Sequence, residues 1–117
     1  MPGTSRYNGN HNNLSLALGA VNKQEREQIK SINLQHYGRP YLILTFARME
    51  APNYITFEDV QKLSPQKFDE EQKYIEALKE LQKKNLIEQN PDDPQQHRIT
   101  HFGIKFLYMR KQLSYRR

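Results

Sequence analysis

The chain has 117 residues, 36% of them hydrophobic, a mean hydropathy of −0.96 and a formal net charge of +5, which suits one small domain with a compact core. It contains no cysteine, which excludes disulfides, thiolate catalysis and cysteine-based zinc or iron–sulfur sites. No stretch approaches the roughly 18 to 20 apolar residues of a membrane span, so a cytoplasmic protein without a membrane segment is expected.

The charge is unevenly spread. Residues 1–64 carry seven Lys/Arg against five Asp/Glu, residues 65–100 six against eight, and residues 101–117 five against none. The basic excess therefore sits at the C-terminus, which is compatible with nucleic acid but does not demand it.

Residues 1–21 read as a flexible arm, because MPGTSRYNGNHNN is Gly/Asn-rich and without periodicity. Its apolar end, Leu14 to Val21, is short, begins late and has little positive charge ahead of it, so it reads as an anchor or nascent helix, not a signal peptide. Residues 22–38 hold a helix and a linker. Asn22 stands three residues before Glu25, the spacing of a capping box, and Ile29 and Ile32 supply one apolar side.

The third unit, residues 39–117, carries the fold. Pro40 suits a first helical turn, where its missing N–H is harmless. PYLILTFARMEA is apolar on nearly all sides and reads as helix, a buried strand being the competing reading. Tyr54 and Ile55 fit a very short strand. Thr56 and Asp59 form a second capping box opening FEDVQKL, which is expected to bury Phe57, Val60 and Leu63. Ser64-Pro65 then predicts the start of a long helix running to about Lys84, with Phe68, Ile75, Leu78 and Leu81 inward.

Asn85 is the predicted helix stop, since Asn tolerates the left-handed backbone that Gly usually supplies there. LIEQ and QHRIT read as two strands joined by the PDDP turn, whose aspartates bond local backbone. Thr100 caps a final helix beginning HFGIKFL. The predicted class is α+β, mostly helical, with a small antiparallel sheet of two to three strands.

This order of elements, and Leu78, Leu81, Asn85, Leu86 and Ile87 followed by Arg98, Ile99, Thr100 and Gly103, resembles the winged helix-turn-helix superfamily, especially MarR- and PadR-like regulators. The resemblance covers about residues 39–113, and Asn85 departs from the usual Gly. It implies duplex DNA as partner, with the helix after the turn in the major groove and the hairpin on the flanking backbone or minor groove. A minority of the superfamily serves as protein-interaction modules, and that is the alternative reading.

On the predicted helix the outward arc holds Asp69, Gln72, Lys73, Glu76, Lys79, Glu80 and Lys83, with Gln66 and Lys67 at its exposed start. The candidate DNA contacts are Gln66, Lys67, Gln72 and Lys73, joined in the hairpin by Gln96 and Arg98, with Gln95 and His97 beside them. Glu76, Glu80 and the run Asp69-Glu70-Glu71 oppose phosphate. A solvated helix face is the plainer account of the same residues. His97 and His101 have a zinc-like spacing but no accompanying thiolate or carboxylate cluster, so no metal is expected. No nucleophile motif, Gly-rich phosphate loop or paired carboxylates appear, so neither catalysis nor a cofactor is expected.

The last helix carries Phe102, Phe106, Met109 and Leu113 on one stripe and Ile104, Leu107, Tyr108 and Tyr115 on much of another. One stripe suits the helix from Pro40 to Glu50. The second is expected to form a homodimer through the C-terminal helix, unless the N-terminal helix covers it within the chain. The terminal SYRR reads as a basic tail.

Overall fold

The structure, a computed structural model, describes residues 21–115, with side chains as far as residue 111. Residues 1–20 of the predicted arm, the basic pair Arg116 and Arg117, and the side chains of Leu113 and Tyr115 lie outside the described residues. Five helices and a two-stranded antiparallel hairpin follow one another: α1 (Lys23–Ser31), α2 (Arg39–Glu50), α3 (Phe57–Leu63), α4 (Glu71–Lys83), β1 (Ile87–Asn90), β2 (Asp93–Ile99) and α5 (His101–Tyr115). The fold is α+β and mostly helical.

Local chemistry sets most boundaries. Asn22 accepts from the Glu25 N–H at 2.7 Å while the Glu25 carboxylate accepts from the Asn22 N–H at 3.2 Å. Thr56 and Asp59 repeat this reciprocal arrangement at the start of α3. Each box satisfies N–H groups that a helix start otherwise leaves unpaired. Pro40 occupies the first turn of α2, whose Ile43, Leu44 and Ala47 are fully buried.

Two expectations fail in the α3–α4 region. Leu63 is 60% exposed and, within α3, only Val60 is fully buried. A strict three-residue spacing drifts by roughly 60° per step around a helix of 3.6 residues per turn, so three such residues cannot share one narrow face. The long helix also starts late. Residues 65–70 are turn and bend, and α4 begins at Glu71 without a side-chain cap. Phe68 is nonetheless fully buried, and its N–H closes a single turn onto the Ser64 carbonyl at 3.0 Å. The carbonyls of Lys67 and Phe68 are taken by side chains from elsewhere, Arg39 Nε at 2.6 Å and Gln61 Nε2 at 3.2 Å. Tertiary partners thus replace the helical ladder in this turn.

α4 ends as predicted. Asn85 has φ 62°, the left-handed conformation, and the chain turns at once into β1. A β-branched side chain is strained in that conformation, whereas glycine is at ease. Asn85→Gly is therefore expected to be neutral or stabilising, and Asn85→Val to cost about 1–3 kcal/mol, in paired thermal melts. Equal melting of the two variants would mean that the backbone there is not held left-handed.

The hairpin pairs Ile87 with Ile99, Glu88 with Arg98 and Gln89 with His97, and its register breaks between Gln89 and Asn90. Period-two alternation along β2 sends His97 and Ile99 inward and leaves Gln96 and Arg98 facing out. In the tip, Asp93 accepts from the Gln95 N–H, and Asn90, not Asp92, accepts from the next backbone N–H. The expected strand at Tyr54-Ile55 reduces to one bridge, in which Ile55 exchanges both backbone hydrogen bonds with His97 at 2.7 and 3.0 Å.

Thr100 stitches the hairpin to α5. Its hydroxyl donates to the Asn85 carbonyl at 2.7 Å and accepts from the Gly103 N–H at 2.9 Å, while its own N–H donates to the Leu86 carbonyl. α1 lies against the same helix. Lys105 reaches the Glu25 carboxylate at 3.1 Å, and Ile29 and Leu34 border Phe106 around a shallow hollow. Direct hydrogen bonding to Lys105 holds the Glu25 carboxyl below its ordinary range. The Phe102–Phe106 stripe is thereby covered within the chain. No helix among the described residues is long and apolar enough to cross a membrane.

Candidate nucleic-acid interface

The six candidate residues occupy three places. Gln66 and Lys67 lie in the turn before α4, Gln72 and Lys73 in the first half of α4, and Gln96 and Arg98 on the outer face of β2. The expectation that Gln66 and Lys67 begin the helix is corrected by the late start of α4. Lys67 donates instead to the Tyr37 carbonyl at 3.0 Å, tying the turn to the loop before α2.

Helical geometry separates the rest. Tyr74, Ala77, Leu78 and Leu81 define the buried side of α4. Glu71 and Ile75 flank that side toward β2, lining a groove with Pro94, Gln95 and His97. Lys73 lies on the opposite flank with Glu80, seven residues on, and Glu80 borders the hollow that holds Lys67, Tyr37 and Arg39. Gln72, Glu76, Lys79 and Lys83 face straight out. The candidates form a strip that crosses α4 from the α1–α2 loop to the hairpin, not one cluster.

Their charges are locally compensated. Lys73 pairs with Asp69 at 2.8 Å and Arg98 with Glu88 at 2.7 Å. Hydrogen bonding to Lys73 holds the Asp69 carboxyl below its usual range, and the Glu88 contact raises Arg98 further. The Arg98 guanidinium also sits 4.7 Å from the centre of the Tyr54 ring. Gln72 donates to Glu76, and Gln96 accepts from Asn90 at 2.8 Å. Both ion pairs are solvent-facing, and such pairs exchange partners at little cost.

His97 is not available to a phosphate. It is 5% exposed, and burial pushes its imidazole below the ordinary histidine range, so it is neutral at pH 7. The parity of the strand carries the signal: Ile99 faces the core, so His97, two residues earlier, must do the same. His101, by contrast, is exposed at the start of α5. Two exposed cations outside the candidate set stand out on α4. Lys79 and Lys83, four residues apart, form no ion pair with the described residues. Their signal was the outward arc itself, where the residues four positions before them are Ile75 and Lys79, neither of them an acid.

No family model matches the chain, and no curated protein or solved structure matches it.

Proposed function

We propose that the chain is a winged-helix domain that binds duplex DNA without catalysis or cofactor, acting as a transcriptional regulator by occupying its site. One observation carries this reading: the hairpin flanks α4, and the Ile55–His97 bridge adds a third position to it in the order Ile55, β2, β1. Ile55 lies between α2 and α3 and the hairpin follows α4, which is the chain order of a winged helix with α4 as the groove-entering element. Gln72, Lys79 and Lys83 on its outer face, with Arg98 on the hairpin, supply the polar and cationic groups for bases and phosphates.

Binding is expected to be weak and salt-dependent, with affinity falling linearly on a log–log salt plot. Lys73→Glu and Arg98→Glu each weaken binding to any sequence and lower the salt slope by at least about one. Fluorescence anisotropy with a labelled duplex measures this directly. Absence of duplex binding at low salt rejects the reading.

A second reading, a winged-helix protein-interaction module, is favoured by the acids on and just before α4. Asp69, Glu70, Glu71, Glu76 and Glu80 outnumber the lysines of α4 and its preceding turn, and Lys73 and Arg98 are each held by a carboxylate. The anisotropy experiment separates the two.

We also propose homodimerisation through α5. Tyr108 is 41% exposed, and Leu107 beside it is half-buried, on the side away from α1. Sedimentation equilibrium at tens of micromolar, an order typical of weak dimers, should give a dimer for the parent chain and a monomer for Leu107→Lys/Tyr108→Lys. A monomeric parent chain would end the proposal.

A further inference from the structure

The groove between α4 and the hairpin has properties that DNA binding does not use. Its volume is about 490 Å³, within the range of small-molecule sites. Its lining is mixed, with the Phe57 and Tyr74 rings 5.5 Å apart, Ile75, Leu78 and Pro94 forming an apolar side, and Thr56, Gln61 and Gln95 among the polar groups. Two polar atoms are out of place in this wall. The Tyr74 hydroxyl and His97 Nδ1 are buried and have no hydrogen-bond partner among the described residues. Their residues are 3% and 5% exposed and both line the groove. Buried polar atoms are almost always paired, because each unpaired one forfeits the hydration it had when unfolded. Two orphans on one cavity point to a common partner.

The charge of the lining identifies the kind of partner. Glu58 and Glu71 border the groove, and among the described residues no lysine or arginine does. Burial, then the carboxylates of Asp59 and Glu71, push the Tyr74 hydroxyl far above the ordinary tyrosine range, so it stays protonated. His97 is neutral. A protonated phenol keeps acceptor lone pairs, and a neutral imidazole offers one at Nδ1 when its proton sits on Nε2. Beside Glu58 and Glu71, both lie in a negative field where an anion is repelled. An ammonium has three N–H donors and no acceptor. It suits two lone pairs and a carboxylate together.

We propose that this groove binds a small organic cation, a primary amine on an aromatic body, with its ammonium donating to the Tyr74 hydroxyl, His97 Nδ1 and the Glu71 carboxylate, and its ring against Phe57, Ile75 and Pro94. The site is independent of whether α4 contacts DNA. Such a ligand touches both α4 and β2, and so fixes the spacing between helix and hairpin.

The test uses 2-phenylethylamine and its carboxylate counterpart phenylacetate, titrated into the full chain at constant ionic strength and followed by amide and imidazole NMR. The amine is expected to give saturable shifts at Thr56, Ile75, Gln95 and His97, with a dissociation constant of about a millimolar for so small a molecule. Phenylacetate should leave those signals in place. Glu71→Gln weakens the amine by about tenfold, the usual scale for a lost charged contact. Tyr74→Phe weakens it likewise, and because it deletes a hydroxyl that has no protein partner, it does not impair folding. The proposal is overturned if the amine gives no saturable shift up to about 20 mM, a range well beyond the expected constant. Equal binding of phenylacetate, or amine binding indifferent to both substitutions, overturns it as well.

Discussion

Replacing Gly103 with alanine should lower the melting temperature by about 10–20 °C, corresponding to a loss of about 2–3 kcal/mol. The sign is the opposite of the usual one, since Gly→Ala inside an open helix stabilises by about 1 kcal/mol. The reason is the approach of two backbones. A Cβ on Gly103 would collide with the Leu86 carbonyl oxygen and stand 2.7 Å from Ile99 Cγ1. Neither neighbour is able to yield cheaply. The Leu86 carbonyl already accepts from the Thr100 N–H, and Leu86 itself is fully buried. Ile99 is paired with Ile87 at the end of the hairpin and is 6% exposed. The added methyl must therefore push α5 away from the hairpin, loosening Thr100 from Asn85 and Phe106 from the core. Differential scanning calorimetry of the pair decides the matter. An alanine variant as stable as the parent would mean that α5 does not press on Leu86 and Ile99.

The same residues show what the sequence discloses and what it hides. Asn22, Thr56 and Asn85 set their helix ends through local backbone, as Thr100 does through the Gly103 N–H, so spacing alone was enough to locate those ends. The left-handed Asn85 was legible for the same reason. Gly103 was visible as part of a pattern, but its physical role depends on Leu86 and Ile99. The beginning of α4 was hidden. Ser64-Pro65 is a sound helix-start signal, yet Arg39, 28 residues before Lys67, takes the carbonyl that a helix would have used. The candidate interface was legible in its exposed residues and not in its pairing. Arg98 meets Glu88 only through the register of the hairpin, and Tyr54 comes beneath it from before α3. The groove was not legible at all, because Tyr74 and His97 are brought to one wall by packing of α4 against a strand.

Phe68→Ala is expected to have the largest effect on stability, about 3–5 kcal/mol, by the cost of deleting a fully buried aromatic ring. Against the 5–15 kcal/mol that separates folded from unfolded states in typical small domains, such a loss leaves little margin. The ring is the largest side chain with no exposure among the described residues, although it lies in a turn without regular helix. It meets Tyr74 edge-on with ring centres 6.2 Å apart. Its backbone is held from two other elements, by Gln61 of α3 through the Phe68 carbonyl and by Arg39 of α2 through the preceding one. Removing the ring therefore leaves those polar ties with no apolar anchor beneath them, and the turn that sets the direction of α4 slackens. Phe68→Leu keeps most of the volume and should cost clearly less than Phe68→Ala. Urea unfolding followed by circular dichroism measures both losses. A cost below about 1 kcal/mol for alanine, the scale of a surface substitution, would show that the turn is not docked and that α4 takes its direction from the hairpin instead.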